Sequence, residues 1–165
     1  MIRISRQLLL AAGLALPLGA CHDQPAGPVA AASTAAMPDT KPGLAVSGGK
    51  LVLPAVKGNP AAAYFTLANN SDKPVSIADI SVAGAGMAML HETMAVDGHS
   101  TMRDMTAPTA GPSESLAFTP GGKHVMVFDV PAGLAPGGTV EMTLTFADGD
   151  KLSTPLAVEA PGGAN

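Results

Sequence analysis

Short apolar or alternating segments, separated by turn-forming residues, most restrict how this chain can fold. From Leu44 onward no stretch keeps the spacing of an amphipathic helix, and Gly, Pro, Asn and Asp recur between the segments. The segment Thr139–Phe146 alternates apolar and polar residues, and Asp148 with Gly149 after it favours a hairpin turn. Strands are predicted at 44–46, 50–56, 62–68, 74–82, 87–95, 116–118, 123–130, 139–146 and 151–158. This spacing predicts an all-β fold, a sandwich of antiparallel sheets.

Residues 1–20 have the layout of a bacterial lipoprotein signal peptide. Arg3 and Arg6 precede an apolar run at 8–18 that is too short for a permanent membrane span. Small residues lead to Cys21, as in a lipobox, where the chain is cut before the cysteine and the cysteine is then lipidated. An ordinary signal peptide with a chance cysteine is the alternative. We expect a periplasmic protein that a lipid on Cys21 alone anchors to a bacterial membrane.

The rest of the chain divides by composition. Residues 21–43 are rich in Ala and Pro and predict a disordered tether, 44–160 predict one compact domain, and 161–165 predict a flexible tail. A net charge of −4 with one tyrosine and no tryptophan argues against nucleic-acid binding. The single cysteine excludes an intramolecular disulfide, a CxxC redox motif and a thiolate metal cluster.

Two histidines and two methionines form the candidate functional site: His91, Met102, His124 and Met126. Thioether sulfur selects Cu(I) over harder divalent ions, and imidazole also suits copper. His124 and Met126 stand two apart in a predicted strand, so their side chains share one face. Taken singly, a methionine more often fills a core and a histidine is more often an ordinary polar residue. Five of the nine methionines fall between Met87 and Met105, in a stretch otherwise rich in polar and turn residues, which favours a metal site.

The order His91-X10-Met102-X21-His124-X-Met126 resembles the motif of the periplasmic copper chaperones of the PCuAC family. Segments 63–69, 90–93, 118–126 and 144–149 also resemble that family's strands and last hairpin. The resemblance implies a cupredoxin-like or immunoglobulin-like β-sandwich with Greek-key connections. It also implies a monomer that binds one Cu(I) per chain through these four side chains. Such a protein hands copper to the copper subunit of cytochrome c oxidase, often alongside a thiol-bearing assembly factor.

Two features depart from the family pattern. The chain has no tryptophan, which family members often carry in the first strand. Family members also tend to have Met-X-Met where this chain has Met102 and Met105 three residues apart. Met102 fits the count from both histidines, and Met105, Met94 and His99 are further candidate metal ligands.

Other functions fit the sequence less well. A copper storage or resistance protein would carry the same ligands as a chaperone. A blue-copper protein needs a thiolate near the histidines, and Cys21 lies at the expected anchor. A structural β-sandwich with incidental His and Met residues is a further alternative. Ser113 and Ser115 have neither a nearby histidine nor a Gly-X-Ser-X-Gly context, so we do not expect an enzyme.

Overall fold

The computed structural model describes residues 39–162, and all regular structure in this range is β-strand. The ten strands are β1 (Leu44–Val52), β2 (Ala61–Asn69), β3 (Val75–Val82), β4 (Met87–Val96), β5 (His99–Asp104), β6 (Thr109–Ala110), β7 (Ser115–Phe118), β8 (Lys123–Phe128), β9 (Thr139–Phe146) and β10 (Lys151–Glu159). The predicted all-β, cupredoxin-like antiparallel fold is confirmed.

Several sequence predictions concern residues outside the described range. These are the signal peptide at 1–20, the lipidation of Cys21, the tether up to residue 38 and the last three residues of the tail. Between residues 39 and 162 the structure contains no helix long and apolar enough to cross a membrane.

Pairing between strands that are distant in the chain organises the sheet. The strand order is β5-β4-β8-β2-β1-β10-β9-β3-β6, and β7 also pairs with β2. All pairings are antiparallel except that of β1 with β10, which run parallel. Consecutive strands therefore often lie apart in the sheet, as in Greek-key folds.

One face of the strands builds the hydrophobic core. In β9, Val140, Met142, Leu144 and Phe146 are buried, while the residues between them are more exposed, so the predicted alternation is confirmed. Within the core the rings of Phe65 and Phe118, which are paired residues of the neighbouring strands β2 and β7, stack at 4.4 Å between centroids. Because Val125 and Val127 also point inward, the alternate residues of β8 must face away from the core.

Two parts of the sheet differ from the sequence prediction. The strands predicted separately at 44–46 and 50–56 belong to one strand, β1, which has a register shift between Ser47 and Lys50 and ends at Val52, so residues 53–56 are not part of a strand. Gly48 lies at the register shift with a φ of 63°, which glycine adopts at little cost. β5 and β6 were not predicted, because β6 has two residues and every residue of β5 is exposed, so neither shows apolar alternation.

A two-residue turn joins β4 to β5. Val96 pairs with His99, and Asp97 and Gly98 between them have φ values of 51° and 78°. Positive φ at both positions is the geometry of a tight hairpin turn, for which Asp-Gly is a favoured pair. β5 bonds only to β4 and forms one edge of the sheet.

A buried asparagine closes one end of the fold. Asn69, the last residue of β2, is 1% exposed. Its Nδ2 donates to the carbonyl oxygens of Lys73 at 2.7 Å and Gly111 at 2.9 Å. Its Oδ1 accepts from the backbone N–H of Ser71 at 3.0 Å and from the Ser71 hydroxyl at 2.7 Å. One side chain thus ties β2 to the following turn and to the loop between β6 and β7.

Lys41 binds the start of the domain to the β9–β10 hairpin. Its Nζ forms ion pairs with Asp148 and, at 2.6 Å, with Asp150, and it lies 5.3 Å from the centre of the Phe146 ring. The carbonyl of Asp39 accepts from the N–H of Ser153. Residues 39–43, predicted as the end of the tether, therefore pack on the domain.

Replacing Lys41 with methionine should remove a pH-dependent contribution to stability. The hydrogen bond from Lys41 holds the pKa of Asp148 below its ordinary value, so this contribution is present at neutral pH and is lost as pH falls through the lowered pKa. Burial alone would lower the pKa of Lys41, but its hydrogen bonds to Asp148 and Asp150 raise it. The contribution is therefore also lost as pH rises through that raised pKa.

Urea unfolding of Lys41→Met and of the wild type, followed by circular dichroism, checks this expectation. The midpoint of the variant should be lower at neutral pH, and the difference should shrink at strongly acidic and strongly alkaline pH. Lys57→Met, at an exposed position, is the matched control. A deficit that stays constant across pH would contradict the ion-pair explanation.

Candidate metal centre

The two candidate histidines are direct neighbours across a strand pair. His91 of β4 pairs with His124 of β8, and their ring centroids lie 6.0 Å apart at an angle of 24°. His91 alternates with the buried Leu90, and His124 alternates with the buried Val125, so both rings lie on the face opposite the core. His124 is nevertheless only 7% exposed. The pair is preformed and partly screened from water.

Both rings keep Nε2 available for a ligand. Nδ1 of His124 donates to the carbonyl of Gly122 at 2.9 Å, which fixes the hydrogen on that nitrogen. Nδ1 of His91 lies 3.4 Å from a carboxylate oxygen of Asp104, which favours the same tautomer. Nε2 of His91 is buried and has no hydrogen-bond partner within residues 39–162. A buried nitrogen lone pair without a partner is costly unless a ligand binds it.

Met126 joins the histidines, whereas Met102 lies at the rim. Met126 follows His124 by two residues on the same strand face and is diagonal to His91. Met102 of β5 pairs with Thr93 of β4, so it lies on the same face of the sheet as His91. It is diagonal to His91 on the side away from Met126. β4 separates Met102 from His124 by two strand spacings, roughly 10 Å. Met102 is 51% exposed. The structure thus brings together three of the four predicted ligands and holds the fourth one strand away.

The three further candidates lie on the opposite face of the hairpin. Met105 packs against the hydrophobic core. Met94 pairs with Thr101 and His99 pairs with Val96, so alternation places both away from His91, at exposed positions. This placement favours Met102 over Met105 as a partner of the histidines.

Two residues near the histidines were not singled out from the sequence. Asp104 pairs with His91 across β5 and β4, and Met89 pairs with Met126 across β4 and β8. Asp104 could not be found because β5 gave no strand signal. Met89 could have been found, since it precedes His91 by two residues in a predicted strand, the spacing that linked His124 to Met126.

The nearby charged residues are engaged with one another. Arg103 donates to Glu92 at 2.9 Å, and Nζ of Lys123 lies 3.2 Å from the other Glu92 oxygen. Hydrogen bonds from Arg103 and Lys123 hold the pKa of Glu92 below its ordinary value. Within the described residues no three His, Cys, Asp or Glu side chains come together as a metal site. The side chains in the next row of the β4–β8 pair are the thioethers of Met89 and Met126, a donor type that suits a soft ion.

Three solved structures resemble this fold. The copper-bound PCuAC domain from PmoF2 has a TM-score of 0.60 and 24% identity, covering 76% of this chain and 100% of that domain. The apo PCuAC domain from PmoF1 has a TM-score of 0.60 and 25% identity over the same shares. The solution structure of CuI-DR1885 from Deinococcus radiodurans has a TM-score of 0.56 and 28% identity, covering 78% of this chain and 83% of that one.

Two relatives match part of the sequence. "Putative lipoprotein Lxx21020" of Leifsonia xyli subsp. xyli is 30% identical over 105 residues, 63% of this chain and 63% of the relative. "Uncharacterized protein RP573" of Rickettsia prowazekii is 30% identical over 88 residues, 53% of this chain and 49% of the relative. The chain therefore spans less than two thirds of either relative. The family model described as "Putative lipoprotein LpqE-like" matches residues 32–158, most of the sequence, and the chain belongs to this LpqE-like family.

Proposed function

We propose that this protein is an extracytoplasmic Cu(I) metallochaperone. The observation that carries the proposal is the buried, unpartnered Nε2 of His91 beside His124, whose own hydrogen is held on Nδ1. Two imidazoles that both keep Nε2 for a ligand, flanked by thioethers, fit a soft monovalent ion. The likeness to CuI-DR1885, at 28% identity, supports the same assignment.

Neutral ligands set the way in which the ion would be held and released. Two imidazoles and two thioethers leave the charge of one Cu(I) per chain uncompensated, so a partner that presents thiolates can replace them one at a time. Met102 is exposed at the rim of the site, where such a partner can approach the ion first. This is ligand exchange, and we propose no catalytic activity.

The partners and location follow from the same proposal. We propose that the acceptor is the copper subunit of cytochrome c oxidase, reached with a thiol-bearing assembly factor, and that the protein acts as a monomer. The family description and the Leifsonia relative support a lipoprotein, in keeping with lipidation of Cys21. The proposed protein is therefore a periplasmic copper carrier that a lipid anchors to a membrane.

Competition with a chromophoric Cu(I) chelator tests the proposal on the full chain in detergent. We expect one Cu(I) per chain, and we expect transfer of that ion to a dithiol acceptor peptide when the two are mixed. A chain that binds no Cu(I) would contradict copper binding. A chain that binds copper but keeps it in the presence of the acceptor would indicate storage instead of delivery.

A further inference from the structure

Four soft donors occupy two adjacent rows of the β4–β8 ladder. His91 pairs with His124, and in the next row Met89 pairs with Met126. Residues directly opposite each other in an antiparallel pair have Cβ atoms about 4.5–5.5 Å apart, and diagonal neighbours are still within reach of long side chains. The rows form a rectangle of two imidazoles and two thioethers on the face opposite the core.

Met102 does not belong to this rectangle. It lies across the β4–β5 ladder in the row of Thr93, whereas Met126 lies in the row of Met89. The two methionines are therefore on opposite sides of the histidine row. A single ion beside Met126 and His124 has Met89 as its nearest other thioether, while Met102 reaches it only if the exposed hairpin bends inward.

Packing does not account for Met89. Within residues 39–162 the core cluster and the side chains packed against it include Met105 and Met142 but neither Met89 nor Met126. Met89 is only half-buried. A thioether that contributes nothing to the core and faces a second thioether beside two free imidazole nitrogens is placed as a soft metal ligand.

We propose that Met89 is a Cu(I) ligand of this chain and that it completes the set His91, His124 and Met126. This inference rests on the proposed copper-binding function. Met102 is then a fifth donor at the rim, where it takes part in exchange with a partner.

Conservative variants of the full chain test the inference. Met89→Leu and Met102→Leu keep volume and apolarity, so folding is preserved. Met87→Leu is the matched control, because Met87 is exposed on the same face of the same strand, one row further from the histidines. Two readouts are needed: Cu(I) affinity by chelator competition, and the number of sulfur neighbours of copper by X-ray absorption.

We expect Met89→Leu to lower the Cu(I) affinity by about tenfold or more and to remove one sulfur neighbour, with Met87→Leu unchanged in both. A Met89→Leu protein with wild-type affinity and sulfur count, beside a Met102→Leu protein that loses one sulfur, would overturn the inference and leave the copper-binding function intact. A wild-type chain that binds no Cu(I) would overturn both.

Discussion

Replacing His124 with alanine is expected to lower the affinity for Cu(I) by at least about 100-fold, since removal of groups that only orient a ligand already costs about 10–100-fold. His124 supplies one of the two rings whose Nε2 is kept for a ligand by a hydrogen bond or charge at Nδ1. Its loss leaves His91 as the single imidazole of the pair. The side chain lies on the face opposite the core, so the variant should keep the β-sheet signal in circular dichroism.

His99→Ala is the matched control for this measurement. His99 also carries an imidazole and lies in the β4–β5 hairpin, but it is exposed and lies on the strand face opposite to that of His91. Chelator competition should find wild-type affinity for His99→Ala. Equal affinities in the His124 and His99 variants would show that copper does not bind at the histidine pair.

Asn69→Ala should lower the free energy of unfolding by about 2–4 kcal/mol, because one buried side chain loses several hydrogen bonds at once. The amide of Asn69 donates to the carbonyls of Lys73 and Gly111, and its oxygen accepts from Ser71. Alanine can form none of these hydrogen bonds, and the position is only 1% exposed.

Urea unfolding of Asn69→Ala beside Asn70→Ala measures this effect. Asn70 is the next residue and its side chain is exposed, so its substitution should change the free energy of unfolding by less than about 0.5 kcal/mol. Two variants of equal stability would mean that the turn after β2 holds its shape without the amide.

The strands with a buried face could be predicted from the sequence, and those without one could not. Alternation in β9 fixed its bounds, since half of its residues are buried. β5 has no buried residue and takes its structure from β4 and from the turn at Asp97 and Gly98. The Asp-Gly pair therefore indicated the turn from the sequence. The strand after the turn depends on its pairing with β4, which the spacing of apolar residues does not show.

The candidate site could also be predicted only in part, because some of its geometry depends on pairing between strands. Spacing along β8 was sufficient to place His124 and Met126 on one face. The direct pairing of His91 with His124 depends on β4 lying beside β8, a long-range register that spacing within one strand does not reveal. The rim position of Met102 has the same origin, because it follows from the register of β5 on β4.

The parallel pairing of the first strand with the last determines when this fold can close. β1 lies between β2 and β10, so one of its edges stays open until the final nine-residue strand is present. β9 and β3 reach the rest of the sheet through β10, so the N-terminal strands alone cannot complete it. Pairing between opposite ends of a chain is slow because a long loop must close first. For a chain that is exported unfolded, the sheet can therefore close only after its last segment has crossed the membrane.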